Sequence, residues 1–157
     1  LGCLAALDVL LTEGFTAHNV ADIGCGTAVL ALAAAKVWPE TVLASDIDEV
    51  AVDVALANAQ ANGLSDRLVC VEAAGFAHEQ ITSRAPFDLI FANILKGPLI
   101  ELAPDMRANC AKGGRVILSG LLNEQAETVI AAYVAEGFEL TRHSQHGEWS
   151  CLTLAMV

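Results

Sequence analysis

Apolar strand-like runs alternate with helix-like periodic segments along almost the whole chain, and no single motif restricts the fold as much. "HNVADIG", "TVLASD", "RLVCVEA", "FDLIFAN" and "GGRVILSG" are near-continuously apolar. A strand with one wet face would alternate polar and apolar residues, so these five predict a parallel sheet covered on both faces. The segments between them read as helices. Leu4, Leu7, Leu10 and Leu11 share a helical spacing that ends at Gly14, and the segment after Gly26 runs until Pro39 stops it. "DEVAVDVALANAQANG" has Asp48 to cap it and Gly63 to end it. A loop or short helix fits "FAHEQI", a helix with Pro98 in its first turn fits "PLIELAPDMRANCA", and Asn123 caps a helix over "NEQAETVIAAYVAEG". "FELTRHS" and "EWSCLTLAMV" then follow without a helix between them, joined at His146-Gly147 as a hairpin. The expected fold is α/β: seven strands, mostly parallel, with helices on both faces and an antiparallel last strand. At 157 residues the chain is one domain, residues 1–157.

Glycines are placed where such a sheet binds ligands. In an open parallel sheet the ligand lies at the carboxyl ends of the strands, where strand order reverses. The first strand ends in "DIGCG", and glycines there allow positive φ and bare backbone against a ligand. Asp46, twenty residues beyond Gly26, stands at the end of the second strand, where an acid can accept from a ribose diol. Two cofactor classes use that layout. A dinucleotide loop needs a small residue where Val29 stands, and its pyrophosphate would be repelled by Asp22. S-adenosylmethionine carries a cationic amino group and a sulfonium, which suit an acid two positions before Gly24. The pattern therefore favours S-adenosylmethionine over a dinucleotide. A tight turn with no ligand is the alternative use of a lone Gly-x-Gly.

Charge and cysteine content narrow the partners. Net charge is −11, with 19 acids against eight Lys and Arg. A phosphate backbone gains little from such a surface, so no direct nucleic-acid contact is expected, while a basic protein would be attracted. No apolar run nears the roughly 18 residues of a membrane span, and no membrane association is expected. Five scattered cysteines without a C-x-x-C pair point to a reducing, cytoplasmic setting.

"DIGCGTAVLALAAAK", "SDIDEVAVDVALANAQANG", "FDLIFANIL", "PLIELAPDM", "GGRVILSGLLNEQAETVIAAY" and "GEWSCLTL" resemble the class I S-adenosylmethionine-dependent methyltransferases. Within that class they resemble most the bacterial family that methylates ribosomal protein L-eleven. The resemblance covers nearly the whole chain and implies a Rossmann-like sheet. It implies methyl transfer from S-adenosylmethionine to amine nitrogens, lysine side chains and an α-amino group, of a basic ribosomal protein. Cofactor contacts are expected from Asp22, Gly24, Cys25, Gly26, Asp46, Ile47 and Asn93, with Asn93 also beside the reacting methyl group. No metal is expected. Family members carry an upstream cofactor loop and a substrate-recruiting domain, so residues 1–157 are expected to be the catalytic domain alone.

Several positions depart from the pattern. Ala28 replaces a third glycine, and no acid follows the third strand to hold the adenine amine, so Phe76 either covers the ring or packs in the core. Asn93 is followed by Ile94-Leu95-Lys96 rather than Pro-Pro-aromatic. Relatives that methylate planar amides stack the target on that aromatic, so its absence favours a flexible aliphatic amine. Either the Asn93 side-chain oxygen or its backbone carbonyl then accepts the amine proton. Trp149 lines the substrate mouth or packs in the last strand. Methylation of a small molecule, and cofactor binding without turnover, are the competing functions.

Overall fold

The computed structural model describes residues 2–157. Among the described residues one sheet holds seven strands: β1 (Val20–Ile23), β2 (Val42–Asp46), β3 (Leu68–Glu72), β4 (Phe87–Asn93), β5 (Cys110–Leu122), β6 (Phe138–His146) and β7 (Trp149–Met156). Their order is β3-β2-β1-β4-β5-β7-β6, with β7 antiparallel to both neighbours and every other pairing parallel. Strand order reverses between β1 and β4, which places a crevice beyond their carboxyl ends.

Helices cover both faces, as the apolar strands require. On one face lie α1 (Gly2–Thr12), α2 (Val29–Val37) and α3 (Glu49–Ala61). On the other lie α4 (Glu79–Thr82), α5 (Lys96–Glu101), α6 (Ala103–Asn109) and α7 (Ala126–Ala135). Strand β4 shows how one run of apolar residues serves two cores. Leu89 and Phe91 join the core under α1 and α2, while Ile90 and Ala92 join the core under α5, α6 and α7. All four are fully buried.

Local signals set most boundaries. Gly14 has φ +83°, and the amides of Gly14 and Phe15 close back on Leu11 and Leu10 to end α1. The Asp48 carboxylate accepts the Val50 amide at 2.9 Å and starts α3. The loop-or-helix segment is the short α4, capped by His78, whose Nδ1 accepts the Gln80 amide.

Three boundaries differ from the sequence expectation. The single helix expected over "PLIELAPDMRANCA" is two, α5 and α6, broken at Leu102. Pro104 has no amide to donate to Ile100, so the first helix cannot run through it. Strand β5 begins at Cys110, which pairs with Phe87 through a register shift, rather than at the following glycines. Asn123 does not cap α7: it opens a 3-10 turn, Asn123–Gln125, and its side chain bonds elsewhere. Gln125 instead reaches back to accept the Leu122 amide at 2.9 Å.

Candidate functional site

Successive strand ends place the polar residues. Gly24 follows β1, Asp46 ends β2, Asn93 ends β4, and Ser119 lies opposite Asn93 on β5. Gly24 has φ +69°, and a Cβ there would lie 2.5 Å from Cγ2 of Ile94. Glycine is thus required both by the turn and by the close approach of the two loops. The glycine loop is tied to β2: the Cys25 amide donates to Ser45 O, and the Gly26 amide to Asp46 Oδ2, both at 2.9 Å. Asp46 Oδ1 accepts the Asp48 amide at 2.9 Å. Each Asp46 oxygen therefore spends one acceptor site on the chain and keeps another for a ligand.

Three cavities meet around Asn93. A cleft of about 690 Å³ runs from Gly24, Asp46 and Ile47 past the backbone of Ala73–Gly75 to Leu102 and Asp105. A cavity of about 330 Å³ lies over Asp22, Cys25 and Gly26 and shares Gly24 and Asn93 with the cleft. A third, about 640 Å³, is walled by Leu95, Gly120, His146 and Trp149 and shares Asn93 with both. The expected site residues thus divide: Gly24, Asp46, Ile47 and Asn93 line the large cleft, while Asp22, Cys25 and Gly26 line its smaller neighbour. Ile47, Leu95 and Trp149 are 74%, 70% and 51% exposed, so the rim is unusually apolar.

Asp22 lies deeper than its neighbours. It is buried, and Oδ2 accepts the Ala31 amide at 3.1 Å, which anchors the first turn of α2. Burial, with a smaller push from the Asp46 charge, raises its carboxyl to about 7. A cation brought to this end of the site would favour the ionised form.

Ala28 has φ +65°, the conformation its glycine counterpart would take freely, and its methyl is fully buried under α1 and α2. The methyl lines none of the three cavities. Phe76 packs in the core, 6.5 Å from the Phe87 ring, and lines none of the three cavities. Cys25 Sγ sits 3.6 Å from Cys70 Sγ, and that contact together with burial pushes its thiol far up, which suits a loop residue and not a nucleophile. Trp149 faces the third cavity rather than the core. Among the described residues no three His, Cys, Asp or Glu side chains converge as metal ligands.

Glu101 and Asp105 in the cleft wall were not anticipated. The signal was present: they are four residues apart across the α5–α6 junction, a spacing that stacks side chains on one helical face. With them the large cleft carries three acids, Asp46, Glu101 and Asp105, and neither Lys nor Arg.

Comparison with known proteins identifies the family. Residues 1–156 match the family described as ribosomal protein L11 methyltransferase (PrmA). The ribosomal protein L11 methyltransferase of Bradyrhizobium diazoefficiens is 47% identical over 156 residues, 99% of this chain and 52% of the relative. That of Brucella suis (strain ATCC 23445 / NCTC 10510) is 44% identical over 154 residues, 98% of this chain and 53% of the relative. The chain thus spans about half the length of these curated relatives. Among solved structures, the ribosomal protein L11 methylase of Lactobacillus delbrueckii subsp. bulgaricus superposes with a TM-score of 0.86 at 30% identity, covering 98% of this chain and 77% of that one. A methyltransferase from Pyrococcus furiosus shares the fold at a TM-score of 0.78 and 20% identity, over 98% of this chain and 81% of that one. This chain belongs to the ribosomal protein L11 methyltransferase (PrmA) family.

Proposed function

We propose that the protein containing this chain transfers methyl groups from S-adenosylmethionine to amine nitrogens of a basic ribosomal protein, L11, in the cytoplasm. One observation supports the reading above all: Asn93 is shared by the acid-lined cleft and by a separate apolar cavity. The two also share Ile94 and Leu95, so a donor and an acceptor can meet over the Asn93–Leu95 segment. The residues fit this donor. A cleft holding only acids among its charged groups suits a cationic ligand and would repel a pyrophosphate. The spare acceptor sites of Asp46 suit a ribose diol, the small residues Ala73–Gly75 in the cleft wall leave room for an adenine, and bare backbone at Gly24 admits the methionine part.

S-adenosylmethionine, when bound, supplies an electrophilic methyl on sulfur. This chain supplies position, which alone is worth about 7–11 kcal/mol. A lysine amine starts near pKa 10.4, so freeing its lone pair at pH 7 costs about 4–5 kcal/mol. The apolar wall of Ile94, Leu95 and Trp149 disfavours the ammonium by desolvation, and an Asn93 oxygen accepts an N–H of the incoming amine. Substrate lysines and an α-amino group both present such an amine.

Titration calorimetry with the donor tests the cofactor assignment. Asp46→Ala removes a charged acceptor worth about 1.5–3 kcal/mol, so Kd should rise at least tenfold while the chain stays folded. Unchanged affinity in a folded variant would rule out the ribose role.

A further inference from the structure

We propose that Asn123 is a positioning residue for the methyl acceptor: it clamps the β6–β7 turn and so holds Trp149 and His146 in the wall of the cavity that opens at Asn93. The inference rests on the function proposed above.

Asn123 looked like a helix cap, but its side chain is spent on another element. Its Nδ2 donates to Gly147 O at 2.8 Å, and its Oδ1 accepts from Ser150 Oγ at 2.8 Å. Its own amide donates to Glu148 O at 2.9 Å. Three bonds from one residue therefore reach Gly147, Glu148 and Ser150, which bracket Trp149 on both sides. The chain continues outward, because Ser150 Oγ also lies 2.8 Å from His143 Nε2 on β6. Ser150 is buried, so the two bonds of its hydroxyl are partly sheltered from water, while the Asn123–Gly147 bond lies at the surface.

This fixation is needed because the turn itself is weakly restrained. It is a two-residue connection, His146 pairing with Trp149, at one end of an edge hairpin. Trp149 is half exposed and has little core to hold it. Next to it, β5 shifts register between Leu118 and Leu121, so the ladder that would align β7 is interrupted beside Ser150. Beyond the interruption only Leu121–Ser150 and Leu122–Trp149 pair before the strands end, and Asn123 follows directly, so its side chain locks this short outer stretch of the ladder. It touches neither the donor cleft nor the reacting atoms, so its effect should fall on the acceptor alone.

The test uses the full-length protein containing this chain, with Asn123→Ala, the near-isosteric Asn123→Asp, Ser150→Ala and the Asn123→Ala/Ser150→Ala double variant. Asn123→Asp keeps the acceptor for Ser150 but cannot donate to Gly147 O. A misplaced wall residue can cost up to about a hundredfold, so KM for the ribosomal protein should rise about tenfold or more in Asn123→Ala and less in Asn123→Asp. Affinity for S-adenosylmethionine should stay within about twofold, and the double variant should be no worse than the poorer single one. With Trp38 and every tryptophan outside residues 1–157 replaced by Phe, Trp149 emission should become more accessible to acrylamide in Asn123→Ala. An unchanged KM, or a parallel loss of donor affinity in both Asn123 variants, would overturn the clamp. Failure of the unmodified protein to transfer methyl at all would overturn the function proposed above, and the Trp149 quenching would still decide the clamp: equal quenching with and without the Asn123 side chain contradicts it.

Discussion

Asp22 combines a structural and a chemical part in one carboxyl group. Its bond to the Ala31 amide holds the start of α2, and its burial keeps the carboxyl at about 7 rather than 3.8. A proton held more tightly in the folded than in the unfolded chain stabilises the fold fully below about pH 4, and that contribution is lost as pH rises through about 7. Asn at this position can still accept the Ala31 amide but cannot ionise. Denaturant midpoints of the two proteins should therefore converge or cross between pH 4.5 and 7.5, with the native protein losing ground as pH rises. A pH-independent difference between them would show that the group is ionised throughout. The position of Asp22 two residues before a glycine was legible in the sequence. Its depth was not, because burial depends on α2 folding back over it.

At the scale of elements, the strands and helices were legible wherever local chemistry and packing agree. The Asp48 cap, the Gly14 stop and the unbroken apolar strands are cases of that agreement. The sequence misled where a distant element competed for a residue. Asn123 has the side chain of a cap, but the β6–β7 turn takes its hydrogen bonds, and nothing within ten residues of it signals that. Pro104 marks the break between α5 and α6, but the apolar period continues through it and masks the break. The approach of β5 to the loop after β4 was equally hidden. Gly120 has φ +86°, and a Cβ there would collide with the backbone oxygen of Ile94. Gly120→Ala should therefore displace residues 93–95, lower stability by about 2 kcal/mol or more, and reduce methyl transfer beyond what the loss of folded protein explains. Thermal melts and transfer rates at a temperature where the variant is fully folded check this. A variant of normal stability and normal rate would mean that the two loops do not need this contact.

For the whole molecule, the sheet order determines where the chemistry lies, and the alternation of strands and helices was enough to predict that order's consequence: a crevice beyond β1 and β4. What the alternation could not show is that three cavities meet at Asn93, among them an acid-lined cleft and an apolar cavity. The apolar cavity depends on Trp149 arriving from the far end of the chain. The charge of −11 acts at this scale as well. If the acceptor is a basic ribosomal protein, its KM should rise severalfold between about 50 and 300 mM salt, because the Debye length shortens over that range. Affinity for the donor, whose contacts are local, should change little. A KM independent of salt would remove electrostatic attraction from the account.

In the proposed function Asn93 serves the reacting amine and methyl group rather than the body of the cofactor. The most direct test of that role compares two quantities on Asn93→Ala in the full-length protein: the single-turnover methyl-transfer rate and the affinity for S-adenosylhomocysteine, which lacks the methyl. The rate should fall about a hundredfold, as for a lost positioning contact, while product affinity changes less than about threefold. Equal losses in both would contradict the claim and leave Asn93 as a cofactor contact only.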